Sequence, residues 1–428
     1  MAVDHRQAAP TPPMGWNSWD CYGAAVTEAE VRANAEYMAR YLKEYGWDTV
    51  VVDIQWYEPG ANSAYYRPFV PLEMDEYSRL MPAVNRFPSA AGGRGFKPLA
   101  DDIHRLGLKF GIHIMRGIPR QAVHRNTPIK HPAATARDIA ANTICPWNTD
   151  MYGVDATKEG AQAYYDSLFE LYASWDVDFV KVDDIAASRL YEVHLPEIEM
   201  IRRAIDKCGR PMVLSLSPGP APVKHADFFA RHANMWRMTD DFWDRWDLLL
   251  DMFDRCESWQ GWSKEGTWPD CDMLPLGRIG IRTGPGEERW TRFTRDEQIT
   301  LMTLWTIFRS PLFFGGDLRY NDEWTLSLIT NRAVLDMHRT SRGARRVLRE
   351  GNRIVWAADG PDGVRYVALF NIGEEEAEVA VPLDLLDAAQ PAGAVELWTG
   401  ERIGLLNSVL SARVAPHGAK LFRLHALT

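Results

Sequence analysis

The stretch WDVDFVKVDDIA at residues 175–186 joins the end of a helical pattern to a short apolar run that stops at two carboxylates. Phe179, Val180 and Val182, with Lys181 as the single cation among them, have the composition of a strand covered on both faces in a parallel sheet. The preceding KEGAQAYYDSLFELYASWD, residues 158–176, carries helical apolar spacing and leaves through an Asp. Working outward, the same alternation of short apolar run and helix-like stretch recurs from Met14 to about residue 320. Candidate strands fall at 14–16, 50–54, 110–114, 179–182, 213–216, 235–238, near Met273, and at 312–314. Eight such units close a parallel sheet into a (β/α)8 barrel, so the fold class is α/β.

The ends of barrel strands surround one mouth, where residues distant in sequence converge. Polar groups collect after these strands: Asp53; His113 and Arg116; Asp183 and Asp184; Ser215 and Ser217; Arg237 to Asp241; and Asp272. The run from Arg116 to Asp155 is longer than an ordinary connection and is expected to form a wall or lid beside the mouth. After about Asn331 the texture changes to alternating runs such as NRIVWAADGPDG (352–363) and VRYVALFNIG (364–373), split by Asp-Gly and Gly-Pro turns. They read as an antiparallel β-sandwich. The expected division is a catalytic barrel over residues 1–328 and a sandwich over 329–428.

The 428 residues include 58 Asp and Glu against 48 Lys and Arg, a formal charge of -10. With no basic stripe, this balance disfavours nucleic acid and anionic membrane as partners. Five cysteines without a Cys-x-x-Cys pair read as reduced thiols rather than a disulfide framework or zinc site. No run approaches a membrane span or a signal segment, so a cytoplasmic, soluble protein is expected. The stretch AGGRG (91–95) lacks the strand-to-helix setting of a dinucleotide fingerprint, and His113 and His124 lack a third ligand at suitable spacing. No cofactor and no metal are assigned.

Asp183 ends an apolar strand with Lys181 two residues before it on the same side. It is open to two readings, a structural ion pair or a nucleophile kept charged by that cation. NMWRMTDDFWDRW (234–246) adds Arg237, Asp240, Asp241 and Asp244. Two carboxylates about 5 Å apart across a barrel mouth suit double displacement at an anomeric carbon, one attacking while the other protonates the leaving oxygen. Seventeen tryptophans, Trp16, Trp19, Trp56 and Trp147 among them, offer flat apolar faces for sugar rings.

These segments resemble glycoside hydrolase family 27, the α-galactosidase and α-N-acetylgalactosaminidase family. The resemblance rests on PPMGWNSWD (12–20), VVVDIQW (50–56), GLKFGIH (107–113), VKVDD (180–184), WRMTDD (236–241), WPDCDML (268–274) and SPLFFGGDL (310–318). It implies a retaining exo-glycosidase acting on a terminal α-galactosyl or related sugar, with a glycoside or oligosaccharide as its partner and a homo-oligomer as the family's habit. It places the nucleophile on Asp183 and the acid/base on Asp241, with Asp240 a competing alignment. Asp53, Trp56, Lys181 and Arg237 fall on sugar-binding positions, and Trp16, His113, Arg116 and Ser217 are further candidates for the site.

Three departures bear on the sugar. The family's paired aspartates on the second strand become Asp53 followed by Ile54, which cannot accept a hydroxyl. SLSPGP (215–220) puts Ser217 at the selectivity position and Pro218 in place of an aromatic, and HIMRGIPRQAVHRN (113–126) replaces an Asp-Ala-Gly turn. α-Galactosidase is the leading expectation. Within the same mechanism stand a β-L-arabinopyranosidase, whose sugar is galactose without its exocyclic carbon, an α-N-acetylgalactosaminidase, and an isomaltose-releasing or other α-glucan hydrolase. A non-catalytic carbohydrate-binding protein is the alternative of a different class.

Overall fold

The structure, a computed structural model, describes residues 4–63, 65–130, 133–283, 287–388 and 392–426. Its first layer is a ring of eight parallel strands: β1 Met14–Asn17, β2 Thr49–Val52, β3 Lys109–Met115, β4 Phe179–Asp183, β5 Val213–Leu216, β6 Met235–Arg237, β7 Trp268–Asp270 and β8 Leu312–Phe314. Neighbours in sequence are neighbours in the sheet, and β8 returns to pair with β1. The seam between β7 and β8 closes just beyond β7, where Leu274 bridges to Phe314 and its N–H donates to the Phe313 carbonyl at 2.8 Å. The seventh strand therefore lies several residues before Met273, where the sequence placed it. Met273 belongs to the segment that closes the barrel.

Each gap between strands carries a helix: α1 Glu28–Tyr41, α2 Lys97–Arg105, α3 Ala161–Ser174, α4 Leu195–Cys208, α5 Ala226–His232, α6 Trp246–Ser258 and α7 Arg295–Phe308. Local chemistry sets their starts. Thr27 and Glu30 form a reciprocal capping box ahead of α1, and Thr294 with Glu297 does the same for α7. Along α1 the buried residues Val31, Ala35 and Met38 recur at helical spacing and face the sheet. Strands β1 and β2 approach so closely that a Cβ on Gly15 would lie 2.0 Å from the Thr49 carbonyl oxygen, so only glycine fits there.

Two more helices, α8 Glu323–Ile329 and α9 Arg332–Thr340, follow β8 before the chain enters the second layer. Residues 332–340 are thus helical, although the alternating texture was expected to begin near Asn331. The sandwich pairs a six-stranded antiparallel sheet with a two-stranded one. The larger runs in the order β9 Arg342–Glu350, β10 Arg353–Asp359, β11 Arg365–Asn371, β16 Ala419–Ala426, β13 Ala392–Glu396, β14 Arg402–Leu406. The smaller joins β12 Ala377–Pro382 to β15 Val409–Val414. Strand β9 escapes a hydropathy reading because it is an edge strand rich in arginine, with Arg346 and Arg349 paired to acids of α6.

The sandwich is docked on α6 and α7. His417 stacks on Trp246 with ring centroids 3.7 Å apart and meets Glu297 at 2.8 Å, while Trp398 Nε1 donates to Thr303 Oγ1 at 2.9 Å. Among the described residues no helix is long and apolar enough to cross a membrane.

The long third connection folds onto the mouth as a small three-stranded sheet, Ile118–Pro119, Ala140–Ala141 and Met151–Val154, with short helices between. Residues 131–132 of it lie outside the described set.

Candidate active site

The carboxyl ends of the barrel strands enclose a cavity of about 590 Å³. One wall is built by β2 and β4. Asp53, the residue after β2, accepts from Lys181 Nζ at 2.9 Å and from Asn17 Nδ2 at 2.8 Å, while its own N–H donates to Ser18 Oγ. Burial alone would raise the Asp53 carboxyl, but the Lys181 ammonium and His113 outweigh it and hold the group well below the usual carboxylate range. Lys181 shows the converse balance. Burial disfavours its charge, yet Asp53 and Asp183 keep it firmly protonated.

Asp183 shares the wall with Lys181 because β-strand alternation points residues 181 and 183 to one side. Its Oδ1 accepts the Asp184 backbone N–H at 2.9 Å, and its Oδ2 lies 3.0 Å from His113 Nε2. Burial pushes the carboxyl up, but the hydrogen bond from His113 and the charge of Lys181 prevail, so it is held below its ordinary value and stays ionised.

The facing wall comes from the ends of β6 and β7. Arg237 Nη2 stands 3.1 Å from Asp241 Oδ1 and 3.1 Å from Asp272 Oδ2, so one nitrogen serves two carboxylates. Asp241 has 54% of its side chain exposed, whereas Asp272 is buried behind the arginine at 4%. Asp272 Oδ2 also accepts the Phe242 N–H at 2.8 Å and so grips the backbone next to Asp241. Burial pushes the Asp272 carboxyl up to about 7, with Arg237 opposing that rise and Asp241 and Asp270 adding to it. Asp20, buried nearby, has one oxygen without a partner and is pushed well above its usual range by burial and by the charges of Asp272 and Asp241. Gly315 makes room for it, since a Cβ there would lie 2.1 Å from Asp20 Oδ2.

Aromatic rings complete the enclosure. Trp19 stacks on Tyr66 at 6.2 Å between centroids, and Tyr66 meets Trp147 of the long connection at 5.7 Å. Ile54, Tyr65, Pro218, Trp243 and Leu248 add further apolar surface.

Of the residues singled out from the sequence, Asp53, Lys181, Asp183 and Asp241 line this cavity. His113 and Arg237 touch it through Asp183 and Asp241. The other four lie elsewhere. Trp16 and Trp56 are fully buried, their indole N–H groups spent on the carbonyls of Gly316 and His113. Arg116 turns away to Asp184 and Glu197, at 2.8 Å each. Ser217 is buried against the Val182 carbonyl, and its neighbour Pro218 reaches the wall instead. Trp19 and Trp147, named from sequence among the aromatics that offer faces to a sugar, line the cavity, whereas Tyr66 and Arg189 were not selected from sequence. The paired Tyr65 and Tyr66 in a polar loop were the one available signal.

Among the described residues one trio, Asp101, His104 and Asp176, has metal-ligand spacing. It lies outside the cavity, and the Lys97 ammonium already sits against Asp101 and Asp176. No residue of the mouth forms such a set among those described.

Comparison with known proteins bears directly on this architecture. A β-L-arabinopyranosidase of glycoside hydrolase family 27 from Geobacillus stearothermophilus, solved in complex with arabinose, is 66% identical, with a TM-score of 0.99 and 100% of both chains covered. The chain belongs to glycoside hydrolase family 27. The α-galactosidase A family pattern matches residues 156–340 of this family 27 chain, and the α-galactosidase C-terminal β-sandwich pattern matches 350–424. A Bacillus halodurans protein provisionally called an α-N-acetylgalactosaminidase is 59% identical with a TM-score of 0.90, covering 97% of this chain and 98% of that one. Alpha-galactosidase 2 of Arabidopsis thaliana is 25% identical over 97% of this chain and 89% of its own. The family 27 protein is accordingly a retaining glycoside hydrolase with a (β/α)8 barrel and a C-terminal sandwich.

Proposed function

We propose that the protein is a retaining β-L-arabinopyranosidase that removes a terminal β-L-arabinopyranosyl residue. This replaces the galactoside expected first from sequence with the arabinopyranoside weighed beside it. The observation that carries it is Ile54 on the cavity wall, next to Asp53, where the family pattern calls for a second carboxylate. β-L-Arabinopyranose has the ring stereochemistry of α-D-galactopyranose without the exocyclic hydroxymethyl group. A site that recognises the hydroxymethyl oxygen needs an acceptor, and an isoleucine leaves that hydroxyl desolvated and unpaired. The likeness to the Geobacillus enzyme over the whole chain supports the same reading.

In this reading Asp183, ionised and aligned by His113 and the Asp184 N–H, attacks the anomeric carbon and forms a covalent glycosyl-enzyme. Asp241, aligned by Arg237, gives its proton to the leaving oxygen and then takes one from the water that attacks the intermediate. Asp53 and Lys181 hold ring hydroxyls, the pair presenting both an acceptor and a donor. Trp19 offers its face to the C–H side of the sugar.

The test is a panel of nitrophenyl β-L-arabinopyranoside, α-galactoside, α-N-acetylgalactosaminide and α-glucoside, with NMR of the first-formed anomer. The expected result is kcat/KM for the arabinopyranoside above that for the galactoside by about tenfold or more, with β-L-arabinose released first. A preference for the galactoside would defeat the assignment of the sugar, and an inverted first anomer would defeat the mechanism.

A further inference from the structure

Between residues 69–72 of the second connection and the short helix Arg120–Arg125 of the third lies a separate cavity of about 210 Å³. None of the residues lining it lines the catalytic cavity. Arg120 is clamped there between two rings, its guanidinium carbon 5.1 Å from the centroid of Phe69 and 4.5 Å from that of Tyr152. Stacking of this kind uses the faces of the guanidinium and leaves its in-plane N–H donors open. Arg120 Nε is buried without a hydrogen-bond partner, and among the described residues no acceptor takes the other donors of the group.

Two more basic side chains of the same helix, His124 and Arg125, line the cavity, and neither has an ion pair or a side-chain hydrogen bond among the described residues. In a chain of formal charge -10 acids are in excess, yet this trio has taken none. The single carboxylate of the lining, Asp150, is 4% exposed, its Oδ2 already accepts from Gln55 and Tyr57, and burial disfavours its charge. Thr149 Oγ1 accepts the Phe69 N–H at 2.9 Å and keeps its own hydroxyl proton to give. The same bond holds Phe69 over the arginine, although that side chain is 71% exposed and its φ is +56°. A bulky residue keeps left-handed backbone only where its surroundings fix it.

We propose that this cavity binds a small oxyanion, a phosphate or a carboxylate group, on the edge of the Arg120 guanidinium, with His124, Arg125 and Thr149 around it. The fork of donors takes two oxygens of such a group at once, and the basic lining neutralises its charge. The volume also falls below the roughly 300 Å³ at which pockets for larger organic ligands begin. A neutral sugar would leave the arginine's charge unpaired. The bound anion joins the two connections that supply Tyr66 and Trp147 to the catalytic cavity.

The experiment is calorimetric titration of the full-length protein with inorganic phosphate and, separately, with succinate, each against chloride at equal ionic strength. The expected result is saturable binding of at least one of the two, and the one bound more tightly tells a phosphorylated ligand from a carboxylate. Arg120→Gln is expected to weaken that binding by about tenfold or more, the worth of a hydrogen-bonded charge pair. In chloride alone its kcat/KM, for whichever nitrophenyl glycoside the wild type hydrolyses, should change by less than about twofold. Arg125→Gln, at an exposed position of the same helix, is expected to act in the same direction and serves if the first variant does not fold. No saturable binding of either anion by the wild type, or unchanged affinity in the folded variants, would overturn the proposal.

Discussion

His113 Nε2 lies 3.0 Å from Asp183 Oδ2, and it does so from a fully buried position whose other ring nitrogen has no partner. The imidazole therefore has one polar contact through its ring, and that contact aligns the carboxylate facing the cavity. Removing it by His113→Phe is expected to lower kcat by about 10- to 100-fold, the worth of a hydrogen bond to a charged group, about 1.5–3 kcal/mol. The sign of the pH effect follows from the same contact. Burial raises the Asp183 carboxyl and His113 lowers it, so without His113 the acidic limb of kcat/KM moves to higher pH. A limb that stayed in place would remove His113 from this role.

Asp183→Ala is expected to reduce turnover by about ten-thousandfold. Added azide should then yield the inverted product, α-L-arabinopyranosyl azide, from a nitrophenyl glycoside, because it attacks from the vacated side. Product NMR decides, and a retained azide would exchange the roles of the two carboxylates.

Asp241→Ala removes the proton donor but not the nucleophile. Activity on substrates with poor leaving groups should fall far more than activity on nitrophenyl glycosides, whose departure needs little protonation. Equal losses across a series of leaving groups would count against Asp241 as the acid/base.

Ile54→Asp restores an acceptor beside Asp53 on the cavity wall. The ratio of α-galactoside to β-L-arabinopyranoside kcat/KM should rise by about tenfold or more, with the arabinopyranoside itself declining as a desolvated carboxylate replaces apolar surface. A ratio that did not move would place sugar selection elsewhere on the wall.

Asp272 shares Arg237 Nη2 with Asp241 and is pushed up to about 7 by burial, against Arg237 and Lys181 and with Asp241 and Asp270. Asp20 adds a further buried carboxyl at its side. As pH rises through that value the new charge on Asp272 competes with Asp241 for Arg237. Asp272→Asn lacks that charge at every pH, so any dependence of kcat/KM on the ionisation of Asp272 near pH 7 is expected to vanish from the pH profile. A profile identical to that of the wild type would contradict the shared arginine.

Much of this site was legible along the chain because parallel barrel strands carry a direct code. A polar residue at the end of an apolar run must point into the mouth or pair beside it, and Asp53, Lys181, Asp183 and Asp241 all obeyed that rule. Trp16 and Trp56 did not, since a tryptophan's apolar area is satisfied equally by a sugar or by the core. Only the neighbours decide, and Trp56 found Phe96 and Trp175. Arg116 was equally ambiguous: the guanidinium has reach enough to serve the mouth, but Asp184 and Glu197 claimed it from below.

The sequence by itself determined the barrel, the sandwich and the carboxylates at the strand ends, because periodicity and strand-end chemistry are local properties of the chain, and its resemblance to family 27 assigned the catalytic roles to Asp183 and Asp241 and marked Ile54 as a missing carboxylate. The tertiary structure decided which charges share a partner: Arg237 between Asp241 and Asp272, Arg116 between Asp184 and Glu197, with one oxygen of Asp184 left buried and unpaired. Those relationships join residues as far apart as 35 and 81 positions, and only the closure of the strands into a ring brings them within a few ångströms in a setting dry enough for the charges to matter.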